Sequence, residues 1–392
     1  MVTMGVHRSS MATSINQVRF NSTDQRLQQD LKSRVDAYFA YTGLKRTATM
    51  SMWLQAFFWM GSTAALVALL SSGALPVLLA WPLAGLLGIF MAATGFNVGH
   101  DAIHGAFSGN RIVNGLLSFT FDVSGASSYT WSNAHNFVHH TYTNVPGVDH
   151  DLDPGPFMVF TAKENPHWIY RFQHLYSFVL YFFTYIVWVF KKDFQQIAAP
   201  DPRTGKSHPT ARKVEVVVGK LAHFAVFLGL PLLVSGYAPW QVVFGYFSAI
   251  AVAGLTLAVV FQLAHVVEGT DFPMVDADNR INDSWAAHQL RTTANFAPES
   301  AWWNFFTGGL NHQVEHHLLY KIAHCHYPAL APIVRDVATR HGVPYHEFPT
   351  FRSALGAHVR MMKRFGAGIS QTASNHADGN RHHTSTEPLP AE

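Results

Sequence analysis

The chain reads as an all-α integral membrane protein, with four transmembrane helices in two hairpins under a helical cytosolic cap. Three observations predict this class. Charged residues fill only 13% of the 392 positions and hydrophobic residues 48%, whereas soluble domains carry roughly 25% charged residues. Four apolar runs match the ~20 residues that cross a bilayer. Three histidine clusters, remote from one another in sequence, lie just outside the long apolar segments. A mean hydropathy of only +0.08 leaves a large part of the chain facing water.

The elements follow in order. Residues 1–48 form a polar arm carrying Arg19, Arg26, Lys32, Arg34, Lys45 and Arg46 ahead of any apolar run. A signal peptide would place its apolar stretch earlier, and the positive-inside rule keeps such an arm in the cytoplasm. The membrane domain is expected over 49–365. Its first two spans cover about 52–72 and 75–98, joined by the turn chemistry of Ser71-Ser72-Gly73 and Pro76. Pro82 kinks the second span or sits near its start. Residues 107–126 are broken by Gly, Asn and Asp and suit a cap helix. A second hairpin spans about 218–237 and 240–264, separated by Ser235-Gly236 and Pro239.

Parity decides the fifth candidate, about 175–190. If all histidine clusters share one site, the chain crosses an even number of times between His140 and His265. The shortest run in that interval is then an in-plane helix, its Phe and Tyr side chains at the interface. The basic stretch 201–213 becomes a cytoplasmic loop, with both termini and the histidines on that side. Residues 366–392 are polar and aperiodic, the signature of a disordered tail.

Net charge is +3 and the sequence pI about 8.9. Without a basic patch this argues against nucleic acid and suits anionic headgroups. The single cysteine, Cys325, excludes an internal disulfide and a cysteine-ligated zinc or iron–sulfur site.

The clusters read His100-Asp-Ala-Ile-His104, His135-Asn-Phe-Val-His139-His140 and His312-Gln-Val-Glu-His316-His317. Histidines four apart share a helical face, and neutral imidazole is a good ligand for transition metals. Adjacent histidines point about 100° apart, so one can serve one metal and its neighbour a second. His265 ends the last span, and parity puts it on the same side, which makes it a further ligand. His312 and Gln313 compete as the outer member of the third cluster. Glu315 is either a ligand or an acceptor for a ligand ring's N–H, Gln262 a holder of water, and Asp149 and Asp151 either ligands or acceptors that fix ring orientation. Eight or more imidazoles with no thiolate exceed the three that catalytic zinc uses and fit two metals. Two redox-active irons can activate O2 to take hydrogen from an unactivated carbon, and a membrane setting supplies a lipid chain as substrate.

These boxes, Thr143-Asn144 after the second, and the run Gly308-Gly309-Leu310-Asn311-His312-Gln313-Val314-Glu315-His316-His317 resemble the integral-membrane fatty acid desaturase family over roughly residues 40–365. The Gln-x-x-His-His form of the third box resembles its front-end, linoleoyl-CoA-type subgroup. The resemblance implies a four-helix membrane bundle under a cytosolic cap, a di-iron centre (two Fe ions), O2 as co-substrate and electrons from a small carrier. By position it implies His100, His104, His135, His139, His140, His316 and His317 as iron ligands and His265 as an additional one. Gln313 stands where most relatives outside the front-end group have histidine. Many eukaryotic front-end enzymes carry a fused cytochrome b5 domain with a His-Pro-Gly-Gly motif. That motif does not occur in this sequence, so a separate donor is expected, ferredoxin or cytochrome b5. The expected reaction inserts a cis double bond into an acyl chain on CoA or lipid. A hydroxylase or ketolase on the same scaffold is the alternative, with a membrane zinc hydrolase behind it.

Overall fold

Apolar length and turn residues account for the membrane layer. The computed structural model describes residues 18–21, 25–152 and 154–369. A short strand β1 (Arg19–Phe20) and a helix α1 (Arg26–Thr42) precede four helices long and apolar enough to span a bilayer. These are α2 (Met50–Ser71) and α3 (Val77–Ile103), then α8 (Thr210–Val234) and α9 (Pro239–His265). Thr49 caps α2 by accepting from the Met52 N–H at 3.4 Å, and Pro239 opens α9, where its missing N–H costs nothing. Leu54, Leu78, Leu233 and Trp240 point outward and are 61–85% exposed, an arrangement for lipid rather than water.

Between the hairpins lie α4 (Arg111–Ser124), α5 (128–142), α6 (Trp168–Tyr181) and α7 (Thr184–Ala198). The last two meet at a 64° bend, and at 1.5 Å per residue neither half reaches the ~30 Å of a hydrocarbon core. Their outer stripe carries Trp168, Phe172, Leu175, Val179, Phe183, Val187 and Phe190, all exposed. After α9 come β2 (Arg280–Ile281), α10 (Trp285–Thr292), β3 (Ala294–Phe296), α11 (Ala301–Thr307), α12 (Gln313–Leu319), α13 (Tyr327–Arg340), β4 (His346–Phe348) and α14 (Phe351–Gly366). β1 pairs in parallel with β2, and β3 with β4.

α3 and α9 are the central pair. A Cβ on Gly88 would lie 2.0 Å from the Ala249 carbonyl oxygen, so only glycine permits this approach. Both helices end at the histidine site, α3 at Ile103 just before His104 and α9 at His265.

Several boundaries differ from the sequence reading. α3 runs through Ile103, so His100 lies inside it rather than after it, and α8 begins at Thr210, inside the expected loop. The polar arm holds a structured helix: Leu27, Leu31, Val35 and Phe39 of α1 pack with Val314, Leu318, Leu330, Val334 and Val337. α14 continues to Gly366, and Ile369 N–H still bonds the Arg364 carbonyl at 3.0 Å. The remainder of the expected tail, from 370, lies outside the described residues.

One buried ion pair joins the layers. Lys220 of α8 donates to Asp193 Oδ2 at 2.6 Å and to the Gly125 carbonyl at 2.6 Å. Asp193 also accepts from Ser127 N–H, Thr130 Oγ1 and Trp188 Nε1. Lys220→Met would leave that carboxylate buried and uncompensated, at a cost of roughly 3–5 kcal/mol. Thermal melting in detergent should show this loss, and the Asp193→Asn/Lys220→Met double variant should recover part of it.

Candidate metal centre

Two π-helical segments set the site's geometry. In α3, residues Gly95–Gly99 form one, and the His100 N–H closes it on the Gly95 carbonyl. In α5, Ser132–His139 form another, with His140 N–H bonded to the His135 carbonyl. An i→i+5 coil is rare and concentrates at functional sites. Here it brings His135 and His140 onto one face, Nε2 to Nε2 at 3.1 Å, and turns His139 away to His265, Nε2 to Nε2 at 3.3 Å. His135 and His139 stay stacked, with centroids 5.1 Å apart, but their Nε2 atoms meet different neighbours.

The imidazoles fall into two groups. His100, His104, His135 and His316 place one ring nitrogen each within 4.8 Å of one another, and so do His139, His265 and His317. His140 stands between them, bonded to His135 and stacked on His317 with centroids 4.3 Å apart. All eight rings are buried.

Hydrogen bonds to the far side of the ring aim four of them. His139 Nδ1–H donates to Asp149 Oδ2 at 2.9 Å, His317 Nδ1–H to Gln289 Oε1 at 2.8 Å, and His265 Nδ1–H to the Thr292 carbonyl at 3.4 Å. His316 Nδ1 meets the Tyr327 hydroxyl at 3.3 Å. With Nδ1 occupied, Nε2 faces the cluster, the arrangement that orients metal-binding histidines. Both nitrogens of His104 and the Nε2 atoms of His316 and His317 are buried without a protein partner. Burial, reinforced by neighbouring imidazoles, pushes His104, His135, His140, His316 and His317 well below the usual histidine value. They are thus neutral, the metal-binding form. For His139 burial opposes the charge, but the adjacent Asp149 carboxylate prevails and raises it. The orphaned nitrogens of His104, His316 and His317, converging with the other rings, fit a pair of metal ions.

The other candidates separate. Asp149 is buried and orients His139, while also accepting from the Asn144 and Asp151 N–H groups. Asp151 is one-third exposed, pairs with Lys192 at 3.2 Å and lies 3.8 Å from His139 Nδ1. It also falls in a third grouping with His135 and His139. Glu315 accepts from Asn295 Nδ2 and Tyr345 OH, both at 2.8 Å, and sits 3.6 Å from His312 Nδ1. His312 and Gln313 are buried with their polar side-chain atoms unpartnered, as is Gln262 Oε1. His312 belongs to neither imidazole group.

Several supporting residues carried no signal strong enough to single them out in sequence. Thr143 bonds the His139 carbonyl, Gln289 and His317. Asn144 Nδ2 donates to the carbonyls of His265, Asp271 and Thr292. Asp101 accepts from both the N–H and Nδ1–H of His324. Gly308, at φ 59°, turns where a Cβ would lie 2.6 Å from the Phe96 carbonyl oxygen. The position of Thr143-Asn144 directly after the second box was the available clue.

A helical membrane protein with a buried histidine centre suited to metal is thus defined. Residues 73–349 match the model of the Fatty acid desaturase family, and the chain belongs to that family, whose members are oxidoreductases. It is 39% identical over 350 residues to the sn-1 linoleoyl-lipid 6-desaturase of Synechocystis sp., covering 86% of this chain and 94% of that protein. It is 37% identical to the enzyme of the same name from Arthrospira platensis, covering 71% and 76%. It is also 32% identical to the acyl-lipid (8-3)-desaturase of Physcomitrium patens, covering 86% and 71%.

Asp149→Ala should lower metal affinity about 10–100-fold through loss of ring orientation, and Asp151→Ala should do so far less. Metal content per chain across a chelator titration measures both.

Proposed function

We propose that this chain is a front-end acyl-lipid desaturase that uses O2, a pair of iron ions and electrons from a separate small carrier protein. The carrying observation is what lies beneath the imidazoles. A tight apolar pocket has His100 in its wall, with Met91, Phe96, Phe121, Trp131, Leu257 and Phe261. A second, larger apolar pocket lies between the spanning helices, lined by Leu87, Trp81, Phe227, Tyr246 and Ile250 among others. Met91 is the lining residue they share.

An acyl chain fits this space by its chemistry. Each buried methylene contributes about 0.8 kcal/mol, and the aromatic walls exclude water. Opened by side-chain movement, this pocket would take one stretch of chain beside His100, so that position along the chain is chosen by geometry. When bound, the iron pair would supply the O2-dependent oxidation. His100, His104, His135, His139, His140, His265, His316 and His317 would hold it, with Gln313 or His312 as a further candidate. Asp149, Gln289 and Tyr327 aim the rings. That relatives are named sn-1 linoleoyl-lipid 6-desaturase and acyl-lipid (8-3)-desaturase favours a lipid-bound chain. In the proposed topology both hairpins cross, α6–α7 lies in the interface, and the histidine mouth and termini face the cytoplasm.

Expression in a desaturase-deficient host fed defined fatty acids, followed by double-bond mapping by mass spectrometry of intact lipids and acyl-CoA, tests this directly. A hydroxylated product or no product would refute it. His139→Ala or His316→Ala should abolish product with protein level largely kept. Met91→Phe should fill space that both pockets border and shift the product spectrum toward shorter chains. Purified protein should contain about two irons per chain, against a lone zinc for a hydrolase.

A further inference from the structure

Two tryptophans continue the histidine cluster outward. The Trp131 ring stacks on His135 with centroids 4.4 Å apart at 19°. Trp188 stacks on Trp131 at 4.8 Å and 29°. Lys192 Nζ lies 5.3 Å over the Trp188 ring, and its side chain is one-third exposed. Three rings in contact thus lead from a cluster imidazole toward the surface. Packing alone is a poor account of Trp131, because its Nε1–H is buried with no acceptor and a buried indole ordinarily finds one. A phenylalanine would fill the space without that cost.

We propose that Trp131 and Trp188 form an electron relay that drains oxidising equivalents from the metal centre when no acyl chain is in place. This rests on the O2-dependent reading above. An indole gives up an electron only to a strong oxidant, so the pair is useless for passing electrons in from a mild carrier. It becomes competent once the centre has reacted with O2. With a C–H bond in the chamber, that bond is the target. Without one, the nearest oxidisable groups are the imidazoles and the aromatic wall.

The electrons and protons balance as follows. For each oxidising equivalent removed, an O2-oxidised iron pair held by the histidines would accept one electron from Trp131, and Trp131 would take one from Trp188. Trp188 Nε1–H, hydrogen-bonded to Asp193 Oδ1 at 3.0 Å, passes its proton to that carboxylate. Lys192 over the ring face opposes a positive charge there, so the hole rests as the neutral indolyl radical. Lys220 keeps its bond to the Gly125 carbonyl while Asp193 holds the proton. The electron carrier later returns one electron, and the proton moves back to Nε1. Two tyrosines also lie near the cluster without offering this path. Tyr320 is tilted rather than stacked against His140, and Tyr327 is fully buried against His316.

The test compares iron-loaded wild type with Trp188→Phe and Trp188→Tyr, each reduced with dithionite and exposed to O2 without acyl substrate. Freeze-quenched wild type should give a tryptophan radical by electron paramagnetic resonance, altered by ring-deuterated tryptophan. Trp188→Phe should lose that signal and accumulate severalfold more oxygen adducts on Trp131 and His135 in peptide mass spectrometry. Its metal content and initial rate with substrate should match wild type, while its melting temperature should fall, because buried Asp193 loses one donor. Trp188→Tyr, which restores an oxidisable ring, should lower the adducts again. Absence of any tryptophan radical in wild type, with equal adducts in Trp188→Phe, overturns the relay. If wild type contains no redox metal or consumes no O2, the desaturase reading falls and the relay with it.

Discussion

The Asn144 side-chain amide ties the second histidine box to two other stretches of chain, 265–271 and the end of the cap helix at Thr292. Its donors reach the carbonyls of His265, Asp271 and Thr292, the first at the end of a membrane helix and the last at the end of a cap helix. The residue adopts φ 58°, a conformation asparagine tolerates better than most. Orphan carbonyls at two helix ends are thereby satisfied. The same contact fixes the height of His265 relative to the second box. Asn144 N–H also donates to Asp149, the carboxylate that orients His139, so two of the three rings in the second imidazole group are tied to this junction.

The two imidazole groups are built by different means. His139, His265 and His317 are aimed by fixed acceptors, one of them a buried carboxylate. In the other group only His316 has its far nitrogen engaged, and His135 is set by stacking on Trp131. The group closest to the apolar chamber is therefore enclosed by rings, and the group farther from it by hydrogen bonds. Such a division suits a site that must present one side to hydrocarbon and secure the other firmly to protein.

Much of this was legible in the sequence because the signals are long or repeated. Apolar runs of bilayer length with Gly and Pro between them marked the hairpins, and doubled histidines marked the site. The α1 helix was harder to see because its composition is polar, although Leu27, Leu31, Val35 and Phe39 recur every four residues. Lys220 was overlooked inside an apolar run, yet an ionisable residue there calls for a partner. Gln289 and Tyr327 are single residues far from any box, and no local pattern points to them. The pairing of His135 with His140 and of His139 with His265 was illegible because π-helical winding has no simple residue code.

That winding carries a lesson about counting. Ser132–His139 follow an i→i+5 pattern, so partners five positions apart meet where an ordinary helix would splay them. Removing a single residue between His135 and His140 would let a regular α-helix make the same juxtaposition. Box spacing and coil type are thus one inherited trait. A scan for metal-binding motifs that assumes uniform helices will misassign which nitrogen belongs to which ion wherever that trait takes the longer form.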